Sequence, residues 1–578
     1  MMSQNMQDSR NHQENFVHLH VHSQFSLLDG VCRPEDLVKQ AKLNGQTAVA
    51  VTDHGNLYGA LKFYQAAKKA GIQPIIGCEV YVARRTRKDR DGRFDRKSHH
   101  LILLCENQTG YQNLLKLISL ANLEGFYEKP RVDLELLNKY HAGLICLSGC
   151  LFGEIARLLS ARQYDSAKEK ALEYQRIFDS NHYFLEIQNH GLPEETKIKS
   201  LLLRLSQETG IKLVATNDVH YVRKSDAQVQ KILLSVRNHP ESENPDIPGN
   251  SEFYLKSTQE MTELFSDIPD AVRNTVEIAE RCNLEIQFHE RKLPHFSQSG
   301  ITDNQIYFRE LCEKGMYERY GTDPAQEIRE RLQYEMQVII ENGFTDYFLI
   351  VWDVVRYARN QDIPVGAGRG SGAGCLCAYC LFITEIDPIA YHLLFERFLN
   401  PGRKTMPDID LDFCIEGRQK IKDYVVRRYG MEHVAEITVF DTLKARSAIR
   451  LTGKFLHVPY PVYDSLAKSI DPAETIREFL QKNPDLSKPN SNKQGHLQIR
   501  ELLETAQLVE GLPLHVSVHA AGILITEENI TEHTPVTRND GIAVAQYTMD
   551  ILEQLGLLKI DFLGLRNLTI IREAEKAI

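Results

Sequence analysis

The run Phe16-Val17-His18-Leu19-His20-Val21-His22-Ser23 alternates histidine with aliphatic residues and ends in a polar position. Alternate residues of a strand share a face, so His20 and His22 point the same way, as two ligands on one strand must. Working outward, short apolar runs with polar ends return as "TAVAVTDHGN", "PIIGCEVYVA", "HLILLCEN", "GLICLSGC", "YFLEIQNHG" and "KLVATNDVHY". Segments with helix spacing, such as "RPEDLVKQAKLNG" and "DAQVQKILLSVRNH", lie between them. Seven strand-plus-helix units predict a closed parallel β/α barrel over residues 16–285, with its chemistry at the carboxyl ends of the strands.

Those ends are where ligand-type residues collect. His20 and His22 are followed by Asp29 in "SLLDG", His54 in "TDHGN", Glu79 in "GCE" and His100 in "SHHLILL". Cys150 in "LSGC" and Asp218 with His220 in "NDVH" complete nine candidates. Imidazole, carboxylate and thiolate together suit zinc, manganese or iron, and nine donors exceed what one four-coordinate ion uses. Two or three ions, Zn²⁺ or Mn²⁺, are therefore expected, and carboxylate-bridged metals that activate water are machinery for phosphoester hydrolysis. The basic run Arg84–Lys97 reads first as a solvated loop between strands, with DNA contact as the second option.

The bulk numbers bound the rest. A chain of 578 residues with 42% hydrophobic and 25% charged content is a multidomain globular protein. No run approaches the roughly 20 apolar residues of a membrane span, so no membrane partner is expected. Residues 1–15 are polar and read as a disordered tail without a signal-peptide core. Eleven scattered cysteines fit a reducing cytoplasm. The net charge of -10 alone argues mildly against nucleic acid, but clusters of cation-holding carboxylates also make a protein acidic.

Beyond residue 285 the pattern changes to long helices such as "AQEIRERLQYEMQVIIENG", a glycine-rich loop "PVGAGRGSGAGCLCAYC" and the run "MPDIDLDF". As a strand, that last run puts Asp408, Asp410 and Asp412 on one face. Three like charges there call for cations, and two Mg²⁺ ions about 3.5–4 Å apart would stabilise both oxygens of an in-line phosphoryl transfer. The further acid is expected from Asp561 in "LLKIDFLGL", with Lys559 two residues earlier on the same face. Glycines let a backbone approach phosphate, which makes the loop a phosphate cradle; it lacks the Gly-Lys-Ser/Thr of a Walker A motif. Cys375, Cys377 and Cys380 do not share a helix face and read as small buried residues. A helical segment over 441–512 interrupts this second α/β domain.

The order HxH, Asp, His, Glu, His, Cys, DxH resembles the nine metal ligands of the polymerase and histidinol phosphatase (PHP) domain. After it, "GRGSGAG", "TEIDPIAYHLLFERFLNPGRKTMPDIDLDF", "HAAGILIT" and "LLKIDFLGLRNLT" resemble, in that order, the C family of bacterial replicative polymerases, the polymerase III alpha subunits. The lack of a proofreading insertion in the barrel matches the DnaE type rather than the PolC type. The resemblance implies an α/β multidomain fold: a PHP β/α barrel over 16–285, a polymerase-beta-like nucleotidyltransferase palm over 286–440 and 513–578, and a thumb over 441–512. It implies Asp408, Asp410 and Asp561 as catalytic acids, and Gly370, Ser371, Arg397 and Lys559 as triphosphate contacts, with Arg403 nearby. Template-directed DNA synthesis from dNTPs is implied, with a PHP 3′-5′ exonuclease beside it. The implied partners are primer-template DNA, the sliding clamp, the clamp loader and other replisome subunits. A complete member would continue through fingers, clamp-binding and OB domains, so the chain reads as an N-terminal portion. The alternatives are a PHP phosphoesterase or nuclease, or a non-catalytic replisome scaffold.

Overall fold

A computed structural model describes residues 15–237, 250–402, 406–486, 494–539 and 541–578. The expected tail, apart from Asn15, and Arg403 lie outside the described residues. The chain packs as two compact units, one built from residues up to 286 with 439–517 and the other from 287–438 with 518–578.

In the first unit, strands β1 (Ala48–Val51), β2 (Gln73–Val82), β3 (His99–Cys105), β5 (Leu144–Leu147), β6 (Tyr183–Ile187) and β7 (Leu213–Ala215) pair in that order, and β4 (Arg131–Val132) pairs with β2. The segment around Phe16–Ser23 closes the ring. Thr52 N–H donates to Val21 O at 2.7 Å on one side, while His22 and Val219 N–H groups donate to Val219 O and His20 O on the other. Each strand sends aliphatic residues inward, among them Leu19, Ala50, Ile75, Ile102, Ile145, Phe184 and Val214. Burial of each larger one stabilises the barrel by roughly 1.5–3 kcal/mol relative to exposure.

One strand departs from the all-parallel expectation. β3 runs antiparallel to both β2 and β5. The physical reason is its connection: residues 84–98 carry only the one-turn helix Gly92–Asp95, without the crossover helix that returns a chain parallel. The reversal puts the start of β3, and with it His100, on the rim where the other strands end.

Residues 443–512 form helices Ala445–Phe455, Tyr460–Ser469, Ile476–Lys482 and Gln494–Val509. They bury Ala448, Ile449, Leu502 and Leu503 against Val229, Ile232 and Leu233 of helix Ala227–Arg237.

The second unit combines helices Asn304–Tyr320, Gln326–Glu341 and Thr345–Asn360 with a mixed sheet. Its strands are β8 (Leu411–Cys414), β9 (Val434–Thr442), β10 (Pro513–Ile525), β11 (Val536–Asn539), β12 (Ile542–Ala545) and β13 (Leu558–Leu565), ordered β11-β12-β9-β10-β13-β8. Phe308, Met336, Phe348, Phe413 and Phe562 fill the space between helices and sheet. Cys375, Cys377 and Cys380 are buried in this core. Glu335 lies among them, with ligand atoms of Glu335, Cys375 and Cys377 within 4.8 Å of one another.

Candidate functional site

All nine barrel candidates converge on one rim. His20 Nε2 lies 3.0 Å from Glu79 Oε2 and 3.2 Å from Asp218 Oδ1, which is also 3.2 Å from His22 Nε2. Glu79 Oε1 lies 2.7 Å from both His54 and His100 Nδ1, and Cys150 Sγ is 3.8 Å from His100. Asp29 faces His54 at 3.5 Å and His220 at 3.6 Å. Burial alone would raise the Glu79 carboxyl; the His100 and His54 imidazoles outweigh it and hold it well below the usual carboxylate range.

Supporting contacts fix how the imidazoles face. His20 Nδ1 pairs with Glu186 Oε1 at 2.7 Å, which turns Nε2 toward two carboxylates. Ser26 donates to Asp53 at 2.7 Å, so its oxygen accepts from His22 Nδ1 at 3.0 Å. Lone pairs converging on lone pairs need a cation between them. Asp218 Oδ1 is buried between the Nε2 atoms of His20 and His22, where a carboxylate and two imidazoles can share a metal. Imidazole, carboxylate and thiolate donors at these separations fit a cluster of borderline metal ions.

In the second unit, β13 and β8 are parallel, with Phe562 beside Leu411. One residue back on each chain sets Asp561 beside Asp410, and Asp408, Asp410 and Asp561 bring ligand oxygens within 4.8 Å of one another. Regular strand begins only at Leu411, so the three aspartates of "MPDIDLDF" are not equivalent. Asp408 is exposed and Asp410 half-buried, whereas Asp412 is 7% exposed and pairs with Arg369. Burial raises the Asp408 pKa, Lys559 opposes it, and Asp561 and Asp410 add to it. Asp561 Oδ1 is buried without a hydrogen-bond partner, so this donor set also fits a cation. All-oxygen donors favour a hard ion of the Mg²⁺ type.

The glycine loop is pinned to the same strand: Gly366 N–H donates to Asp412 O at 2.8 Å. Gly370 has φ +66°, and a Cβ there would sit 3.4 Å from Asp410 Oδ2. Ser371 opens a short 3₁₀ turn, Ser371–Gly374, and is exposed. Lys559 Nζ is 3.0 Å from Asp561 Oδ2. Arg397 ends another 3₁₀ turn, Phe395–Arg397, and is exposed; it has no ion pair with the three aspartates among the described residues.

The profile for the "Bacterial DNA polymerase III alpha NTPase domain" matches residues 306–564, and the PHP domain profile matches residues 18–190. Three curated relatives called DNA polymerase III subunit alpha align over 97% of this chain. The protein of Borreliella burgdorferi is 45% identical with 49% of its length covered, that of Treponema pallidum 43% with 48%, and that of Thermus aquaticus 40% with 52%. The chain thus carries a PHP domain followed by a bacterial DNA polymerase III alpha NTPase domain, and nearly its whole length is similar to DNA polymerase III alpha subunits. It spans about half the length of these relatives.

Several residues of this chain escaped the sequence reading. Arg369 binds Asp410 at 2.8 Å and Asp412 at 3.3 Å, and it is the only charge within "GRGSGAG". Glu186 interrupts the apolar "YFLEI", the same kind of signal that singled out Asp561. Tyr347 OH accepts from Ile409 N–H at 2.9 Å and anchors the chain between Asp408 and Asp410. Gln230 and Arg237 donate to Asp29 at 3.1 and 2.6 Å, and no local pattern marks either.

Proposed function

We propose that the second unit is the nucleotidyl-transfer centre of a DNA-directed DNA polymerase acting on primer-template DNA and dNTPs. The convergence of Asp408, Asp410 and Asp561 beside a glycine loop and Lys559 carries this reading. Asp408, Asp410 and Asp561 would hold two Mg²⁺ ions. When bound, these supply Lewis-acid activation of the primer 3′-hydroxyl and neutralise charge on the leaving pyrophosphate. Lys559 offers an ammonium to the triphosphate, Gly370 offers a backbone that phosphate oxygens can approach without a Cβ in the way, and Ser371 adds an exposed hydroxyl. Arg397 is assigned a part in binding the triphosphate by resemblance alone. The 3′-hydroxyl loses its proton to solvent as its oxygen attacks the α-phosphorus, the bond from that phosphorus to the oxygen bridging the β-phosphate breaks, and pyrophosphate leaves.

The barrel is proposed as a metal-dependent phosphoesterase of the 3′-5′ exonuclease kind, holding two or three Zn²⁺ or Mn²⁺ ions. The convergence of His20, His22, Glu79 and Asp218, with ligand atoms within 4.8 Å of one another, supports it. Units 16–285, 286–440 with 513–578, and 441–512 would then act as PHP, palm and thumb. Within a whole family member, the sliding clamp, the clamp loader and other replisome subunits are the proposed partners, in the cytoplasm. Among the described residues no helix is long and apolar enough to cross a membrane.

The deciding experiment is primer extension by a full-length family member carrying this half, with Asp410→Asn beside it, together with Mg²⁺-dNTP titration of the chain itself. Loss of extension and of Mg²⁺-dependent dNTP binding, with DNA binding kept, is the expected result. Near-normal extension by Asp410→Asn would overturn the assignment.

A further inference from the structure

A large aromatic ring stands in solvent beside the barrel's candidate metal ligands. Phe152 is 45% exposed, yet its ring centroid is 5.3 Å from that of His100, and it lies two residues after Cys150. Its backbone is firmly held. His100 N–H donates to Phe152 O at 3.2 Å, and Gly153 N–H donates to Cys150 O at 2.8 Å. At the neighbouring glycines a Cβ would fall 2.4 Å from His100 O at Gly149, and 2.3 Å from Ser148 O at Gly153. The loop is therefore pressed onto β3, and it spends a fixed backbone on presenting an apolar ring to water.

One cation stands over that ring and another is near its neighbour. The Arg157 guanidinium lies 5.4 Å from the Phe152 centroid and donates to Ser98 O at 3.2 Å. The Tyr81 ring is also 5.2 Å from that of His100, with Lys129 Nζ 4.3 Å from the Tyr81 centroid. Exposed Arg84 begins the basic run that leads into β3. An exposed ring beside a held guanidinium, with Lys129 over the neighbouring Tyr81, matches a single nucleic-acid strand, whose bases stack on aromatic faces while its phosphates follow the cations.

We propose that Phe152 is a stacking platform for the terminal nucleobase of a single DNA strand whose last phosphodiester reaches the barrel's metal ligands. Arg157 and Lys129 are its backbone contacts. This rests on the phosphoesterase reading of the barrel and adds the residue that positions the substrate. Phe152 is a positioning residue, since it touches the base and not the bond that breaks.

The test is a binding titration of the whole chain with two single-stranded DNA oligomers of equal length. One carries 2-aminopurine as its 3′-terminal base and the other an abasic 3′-terminal residue, both in chelator so that nothing is cleaved. The wild type should quench 2-aminopurine and bind that oligomer roughly tenfold more tightly than the abasic one. Phe152→Ala should bind both alike and lose the quenching, Phe152→Tyr should restore both effects, and zinc or manganese content after metal loading should match the wild type in each variant. Equal discrimination by the wild type and Phe152→Ala, or none by the wild type, overturns the platform. If discrimination depends on Phe152 but metal-loaded protein cleaves no DNA, the platform stands and the phosphoesterase reading falls. If DNA is cleaved while Phe152→Ala binds and cleaves like the wild type, the platform falls and the phosphoesterase reading stands.

Discussion

Glu186 sits behind a candidate metal ligand and sets how that ligand faces. It is 3% exposed, pairs with His20 Nδ1 at 2.7 Å, and is held in turn by Thr216 Oγ1 and by Gln188 Nε2 at 3.0 Å. Fixing the outer nitrogen of a histidine orients its inner lone pair and raises its basicity. Glu186→Ala should therefore weaken zinc or manganese binding by the barrel about 10- to 100-fold, read by competition with a chromogenic chelator. Arg369 is the counterpart in the second unit. Arg369→Ala strands the buried Asp412 carboxylate without its cation, so denaturant unfolding should show a loss of roughly 1–3 kcal/mol. The convergence of the nine barrel candidates was legible because histidine and aspartate recur at strand ends, where chemistry collects. Glu186 was legible in principle, as a lone acid in an apolar strand. Ser26 and Asp53 were not, because a serine and a buried aspartate 27 residues apart form no pattern until the fold joins them.

Elements differ from residues in how much of them a pattern can show. Strand lengths and the polar rim of the barrel follow from alternation, but the direction of β3 depends on its connection, and a loop over 84–98 carries no periodic signal. "MPDIDLDF" alternates from its start, yet it forms regular strand only from Leu411, where β13 meets it. The short helix Leu376–Cys380 behind the glycine loop has its own buried control. Glu335 accepts from Cys377 N–H at 3.1 Å and from Arg331 Nε at 2.6 Å. Burial pushes its carboxyl from 4.5 up to about 7, against the pull of Arg331 and that N–H group. In the folded state it thus keeps a proton that the unfolded chain has already lost. This contribution is present below the unfolded value and is lost as pH rises toward 7. Stability of the second unit should fall between pH 5 and pH 8 by up to roughly 3 kcal/mol from this group. Glu335→Gln, which mimics the protonated carboxyl, should flatten that slope in urea unfolding; an unchanged slope would assign it elsewhere.

At the scale of the whole chain, the helices inserted at 443–512 are tied to the barrel's candidate metal centre through one intermediary. They bury Val229, Ile232 and Leu233, one side of helix Ala227–Arg237, while Gln230 and Arg237 of that helix hold the two oxygens of Asp29. Arg33 adds a second tie, donating to Glu510 O at 2.5 Å. The sequence separates this segment as a helical interruption, but spacing along the chain cannot say which neighbour its apolar faces cover, since any complementary apolar surface satisfies the same periodicity. The structure sets those faces on the helix that steadies a ligand of the barrel. Removing them would expose three aliphatic residues, each contributing roughly 1.5–3 kcal/mol of burial, and would loosen the hold on Asp29. Replacing 443–512 by a short glycine-serine linker should therefore lower the metal affinity of the barrel about tenfold without altering any ligand. Arg237→Ala combined with Gln230→Ala should reproduce the loss with the helices in place. The measurement is metal retained after dialysis against graded chelator, with circular dichroism to verify that the barrel stays folded. Full retention in the linker variant would show that helix Ala227–Arg237 is positioned by the barrel alone and that the inserted helices carry no influence on the metal centre.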